Sequence, residues 1–154
     1  MSAQSFQEET ANDLEAVRDK FVGLASTMPD GAMTWRPGEG VRSVTEVYMH
    51  IALANMGLAT SFWGAERPTA GDANWNEQVT DRAAIISALE IGFNHVIEMV
   101  RAMPDSQLTE SASVFGRAAN VRAGIMLIRG HSHEHLGQSI AYARANGVTP
   151  PWSN

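Results

Sequence analysis

The chain has 154 residues, with 11 Lys and Arg against 17 Asp and Glu, and so a formal net charge of −6 at pH 7. That length fits one domain over residues 1–154. A composition of 44% apolar and 18% charged residues excludes a disordered chain, and the acidic balance without a basic stripe argues against a nucleic-acid partner. Cysteine is absent, which excludes disulfides, thiolate ligands and a cysteine nucleophile, so a metal site here has to be built from nitrogen and oxygen.

The N-terminal segment carries Glu8, Glu9, Asp13 and Glu15 before the first cation, Arg18, the opposite of a signal peptide. A cytoplasmic location is the expectation. Phe6, Leu14, Val17, Phe21, Leu24 and Met28 recur at three-and-four spacing until Pro29, Asp30 and Gly31 interrupt them, which predicts helix one from about residue 5 to about 28. Ser43 and Glu46 have the spacing of a capping box, and Val44, Val47, Tyr48, Ile51, Leu58 and Phe62 follow, predicting helix two from about 44 to about 64. The 19 uncharged residues between Glu46 and Glu66 approach the length of a membrane span, but His50, Asn55, Thr60 and Ser61 interrupt them, so a buried helix and no membrane is the expectation.

Residues 65–79 are aperiodic and hold Pro68, Gly71 and Asp72, long enough to cross from one end of a bundle to the other and let the flanking helices run parallel. Ile85, Ile86, Leu89, Phe93, Val96, Ile97 and Val100 predict helix three from about 80 to 102, stopped by Met103 and Pro104. The segment 105–116 fits a short extended piece or a turn. Helix four opens near 117 and is stopped by Gly147, with Pro150 and Pro151 beyond. The fold class is therefore all-α: a four-helix bundle with a long crossover between helices two and three.

Helix four contains Gly130-His131-Ser132-His133-Glu134-His135-Leu136-Gly137-Gln138, with three of the five histidines. At about 100° per residue His131 and His135 share a face about 40° wide, on the stripe of Ile128 and Tyr142, while His133 points away. Two inward imidazoles need partners for their nitrogens, and either hydrogen bonds in the core or coordination to a metal supplies them. A third ligand is offered by His50, whose neighbours Val47, Ile51, Ala54 and Leu58 are apolar and face the core. Three inward histidines on two helices form a nitrogen set with open positions, as in catalytic zinc sites. Large residues at helix ends, Trp35, Trp63 and Trp75, together with Trp152 in the tail, fit packing as well as a pocket. His95, at the edge of its stripe, is expected at the surface. Ser132 follows His131 where a zincin needs Glu, and no helix offers Glu three residues before an inward His, which excludes zincin and di-iron sites. Glu46, four residues before His50, fits either a ligand or a cap, and Glu134 either a support for the ligands or solvent.

These residues resemble the DinB-like (YfiT-related) superfamily of small metal-binding four-helix proteins. The match consists of Trp35-Arg-Pro37, Ser43 through Glu46 to His50, His131-x-x-x-His135-Leu-Gly-Gln138, and the tail from Ala141 to Ser153. The resemblance implies a bundle in which helices one and two, and three and four, pair across a long crossover, usually as a homodimer. It also implies a divalent ion, zinc or nickel, on His50, His131 and His135. For activity it implies either a thiol S-transferase using a low-molecular-weight thiol or a hydrolase, acting on a small molecule. A non-catalytic, metal-stabilised bundle serving as a structural or interaction module is the alternative, although three ligands rather than four favour an open position.

Overall fold

The computed structural model describes residues 4–153. It is a four-helix bundle with helices α1 (Phe6–Thr27), α2 (Val44–Trp63), α3 (Arg82–Ala102) and α4 (Val121–Ala145). Each helix begins on a side-chain cap: Ser5, Ser43, Asp81 and Asn120 accept from the backbone N–H three residues on, satisfying donors the helix itself leaves free. At Ser43 the capping box is complete, because the Ser43 N–H also donates to Glu46 Oε2 at 2.7 Å. α2 stops at Gly64, whose φ of 76° is a left-handed conformation that glycine adopts without strain.

One element departs from the all-α expectation. Ser111–Val114 (β1) and Arg117–Asn120 (β2) form an antiparallel hairpin, with Ser111 opposite Asn120 and Val114 opposite Arg117. The residues expected to open helix four are thus spent on strand pairing, and α4 starts at Val121 instead of near 117.

α1 packs on α3 and α4, and α2 packs on the same two helices, so α1 lies diagonally opposite α2 and α3 diagonally opposite α4. This corrects the expected pairing of helix one with two and three with four. α1 and α2 meet across the core, where Phe21 stands edge-on to Tyr48 at 6.1 Å and Phe93 of α3 lies 5.6 Å from Phe21. α1 and α3 are antiparallel: Arg82 at the start of α3 donates to the carbonyls of Ala25 and Met28 at the end of α1, while Arg101 reaches Asn12 and Glu15. α2 and α4 are also antiparallel, with Phe62 and Trp63 against Gly124 at one end and the Tyr142 hydroxyl on the Arg42 carbonyl at the other. α2 and α3 approach closely at Gly92, where an added Cβ would stand 2.5 Å from the Ala52 carbonyl oxygen.

α3 is long and apolar enough to cross a membrane by length and composition alone. Its composition follows from its position against both α1 and α2, which bury Ile85, Leu89, Phe93, Val96, Ile97 and Val100.

Candidate metal centre

The antiparallel contact of α2 with α4 sets His50 beside His131 and His135. His131 Nε2 lies 3.0 Å from His135 Nε2 and 3.3 Å from His50 Nε2, and one ligand atom from each of the three falls within 4.8 Å of the others. Two nitrogens bound at about 2.0–2.1 Å to a tetrahedral ion stand about 3.3–3.4 Å apart, so the spacing is that of ligands around one cation.

The far nitrogens fix the tautomers. His50 Nδ1 lies 2.9 Å from Glu77 Oε1, and His135 Nδ1 lies 2.8 Å from Gln138 Oε1. A carboxylate only accepts, so His50 carries its proton on Nδ1; the amide oxygen imposes the same choice on His135. Both Nε2 atoms therefore present lone pairs to a common point. His131 can give an Nε2 proton to only one of these two lone pairs and leaves the other without a partner, whereas a cation at the common point serves all three nitrogens: the residues present fit a divalent metal ion.

These supports form a chain that returns on itself. Arg42 Nε donates to Glu77 Oε2 at 2.8 Å and its Nη2 to Oε1 at 3.1 Å; the Arg42 carbonyl accepts from the Tyr142 hydroxyl at 3.2 Å. That hydroxyl accepts from Gln138 Nε2 at 2.9 Å, and Gln138 holds His135. Trp35 packs edge-on against Tyr142 at 5.3 Å and keeps the ring in place.

Protonation follows burial. The His131 imidazole is pushed down to about 4, by burial first and by the neighbouring His135 and His50 second. Burial also lowers His50, against the opposing pull of its hydrogen bond to Glu77. The Arg42 guanidinium, through its hydrogen bonds, holds the Glu77 carboxyl below its ordinary value. Neutral imidazoles beside an ionised carboxylate are the forms that ligation requires.

The remaining candidates lie elsewhere. His133 is exposed on the face toward α1, with its Nε2 2.7 Å from Asp13 Oδ2, which also accepts from Arg129 Nε at 2.7 Å. Glu46 closes the capping box and pairs with Arg36 at 3.1 Å, so its role as a cap accounts for it. His95 corrects a surface expectation: it is half-buried, and its Nε2 has no partner among the described residues. Trp63 packs over Gly124, Trp75 over Gly71, and Trp152 beside Lys20 of α1. Glu134 is exposed and lines a cleft of about 560 Å³ that opens from His50 and His131.

Glu77 and Arg42 are the site residues that periodicity missed. Both lie in connections outside the helices, where no stripe assigns a direction. The available signal was chemical: a ligating histidine usually donates its other nitrogen to a carboxylate, and the aperiodic stretch after α2 holds Glu66, Asp72 and Glu77.

The sequence profile of the DinB superfamily matches residues 13–139. Among solved structures, a DinB-like protein from Bacillus cereus ATCC 10987 superposes with a TM-score of 0.76 at 18% identity, over 94% of this chain and 95% of that one. A DinB-like protein from Bacillus subtilis, YjoA, gives a TM-score of 0.71 at 19% identity over 92% and 93%. YfiT from Bacillus subtilis, described as a probable metal-dependent hydrolase with an unusual four-helix bundle topology, gives 0.73 at 18% identity over 97% and 93%. No protein of curated function matches the chain.

Proposed function

The chain belongs to the DinB superfamily, and from that premise we propose that it is a metal-dependent hydrolase of a small-molecule substrate, with zinc or nickel held by His50, His131 and His135. The observation that carries this reading is the pair of fixed tautomers, with two Nε2 lone pairs aimed beside His131 at the head of an open cleft. A divalent ion on three neutral imidazoles keeps its full charge, and so supplies Lewis acidity and a water acidified toward neutrality. Three protein ligands leave a position for that water, whereas a structural site normally closes with four. The likeness to a relative described as a metal-dependent hydrolase agrees with this reading.

The chain's own residues then have distinct tasks. Glu77 and Gln138 orient the imidazoles. Glu134, the only carboxylate among the residues that line the cleft, accepts a proton from the attacking water. The connection over residues 64–81, read as the crossover of the bundle, carries Glu77 to His50. The test has two arms. Protein loaded with Co²⁺ should show a visible spectrum that shifts with azide and with pH, and the loaded protein should hydrolyse simple esters or amides with turnover lost in Glu134→Gln while metal is retained. A spectrum indifferent to azide, thiols and pH would replace this reading with a closed structural site. Thiol transfer without any ester or amide hydrolysis would replace it with a transferase.

A further inference from the structure

The cleft runs away from the histidines between α2 and α4. On α2 it passes from His50 over Ala54 to Leu58, and on α4 from His131 to Leu127. Eight residues of α2 at about 1.5 Å each make it about 12 Å long. Beyond Glu134 and the two imidazoles its walls are apolar side chains and the bare backbone of Gly130.

Phe115 closes the far end. It sits at the tip of the hairpin, 71% exposed, with its ring edge-on to Phe62 at 5.3 Å and lining the same cleft. Its φ is 50° and that of Gly116 is 77°, so both central residues of this two-residue turn are left-handed. Such turns favour Asn-Gly, and a bulky aromatic in the first position is strained. Among the described residues, Phe115 is the sole non-glycine with positive φ. Apart from its edge-on contact with Phe62, the ring stands largely in solvent over the cleft, on a backbone that asparagine would hold with less strain, and such strain gathers where a ligand is gripped.

We propose that the cleft is an acyl-chain groove with Phe115 as its far wall, so that the substrate is an ester or amide of an apolar, medium-chain acid. This rests on the hydrolase reading and names its substrate class. The carbonyl lies at the histidine end and the chain runs toward Phe115. A water oxygen bonds to the carbonyl carbon, the bond from that carbon to the alcohol oxygen or amine nitrogen breaks, and one water proton leaves with the alcohol or amine. A groove of about 12 Å takes roughly eight carbons, since an extended zigzag of bonds of about 1.5 Å advances about 1.25 Å per bond and the radius of the end methyl adds about 2 Å.

Alkyl hydroxamates of two to ten carbons, titrated calorimetrically into the zinc-loaded protein, provide a readout independent of turnover. Affinity should rise about three- to fourfold per methylene, the usual gain for burying a CH₂, and level off near eight carbons. In Phe115→Asn the ratio of eight-carbon to two-carbon affinity should fall about tenfold, while the variant itself melts higher because the turn strain is relieved. Affinity independent of chain length, an undiminished ratio in Phe115→Asn, or no hydroxamate binding at all would overturn the proposal. The companion measurement is hydrolysis of p-nitrophenyl esters over the same chain lengths. Chain-length-dependent binding without ester or amide turnover would overturn the hydrolase reading and leave the groove standing; ester turnover without chain-length dependence would do the reverse.

Discussion

Glu77 Oε1 stands 2.9 Å from His50 Nδ1 across 27 residues of chain, and Arg42 grips the same carboxylate from the other side. A ligand support delivered by a connecting segment ties the chemistry of the centre to the conformation of that segment. Glu77→Gln removes the charge and leaves the shape. We expect zinc affinity to fall about 10- to 100-fold in competition with a chromophoric chelator, as for other supports of ligating histidines. His133→Ala, on the opposite face, should leave affinity unchanged, and a loss there equal to that in His131→Ala would contradict the ligand assignment.

Metal removal should lower stability, because an ion bridging α2 and α4 binds the folded chain in preference to the unfolded one. At a free concentration one hundred times Kd the ion adds about 2.7 kcal/mol. Addition of a chelator should therefore lower Tm in the native sequence and leave Tm of His50→Ala in place. An identical drop in both would show that the chelator acts elsewhere.

Glycine-to-alanine changes in α2 and α3 should have opposite signs. At Gly92 the new Cβ would meet the Ala52 carbonyl oxygen at 2.5 Å, and backbone of a neighbouring helix yields only if the helices separate. A cost of about 1–3 kcal/mol is expected, as for other overpacked contacts. At Gly57, also helical, nothing lies within 4 Å of the new Cβ. There Gly57→Ala should gain about 0.5–1 kcal/mol from helix propensity. Urea unfolding of the two variants checks both signs.

Asp13 links α1 to α4 through Arg129 and His133. Burial raises its carboxyl, but the hydrogen bonds from Arg129 and His133, helped by their charge, outweigh it and leave the group below its ordinary 3.8. A depressed carboxyl stabilises the fold fully above its unfolded pKa and loses that contribution as pH falls through the folded value. Asp13→Asn should therefore cost up to about 1 kcal/mol at pH 7, the range of partly exposed ion pairs. The difference from the native sequence should shrink as pH drops below the ordinary carboxylate range, which denaturant midpoints at pH 7 and pH 3 would reveal.

The four helices were legible because their apolar residues recur at a period that only a helix brings to one face, and because Ser43 with Glu46 marks an entry point. The grouping of His50, His131 and His135 was legible for the same reason: each sits on a stripe that the fold buries, and residues four apart on a helix share a face. Of the hairpin, β1 falls in the segment read as a short extended piece or a turn, but β2 and the pairing were not legible, because Ser-Ala-Ser-Val and Arg-Ala-Ala-Asn are poor in the branched and aromatic residues that strands favour, and Phe-Gly is no turn signal. The diagonal placement of α1 and α2 was hidden because the segment between them is long enough to reach either an adjacent or an opposite corner. His95 misled because the stripe of α3 is wide: a helix covered on two sides buries residues that a one-sided helix would leave in water.

Placing α1 and α2 on opposite corners also dictates an order of assembly as the chain leaves the ribosome. α1 and α2 share a core but no common groove, so the first extensive native pairing waits for α3, which docks on both. Until that helix has emerged, the apolar faces of the first half stay exposed to chaperones and to other nascent chains. His131 and His135 arrive later still, on the last helix, so the three-histidine cluster can come together only once the fold that carries it is nearly finished.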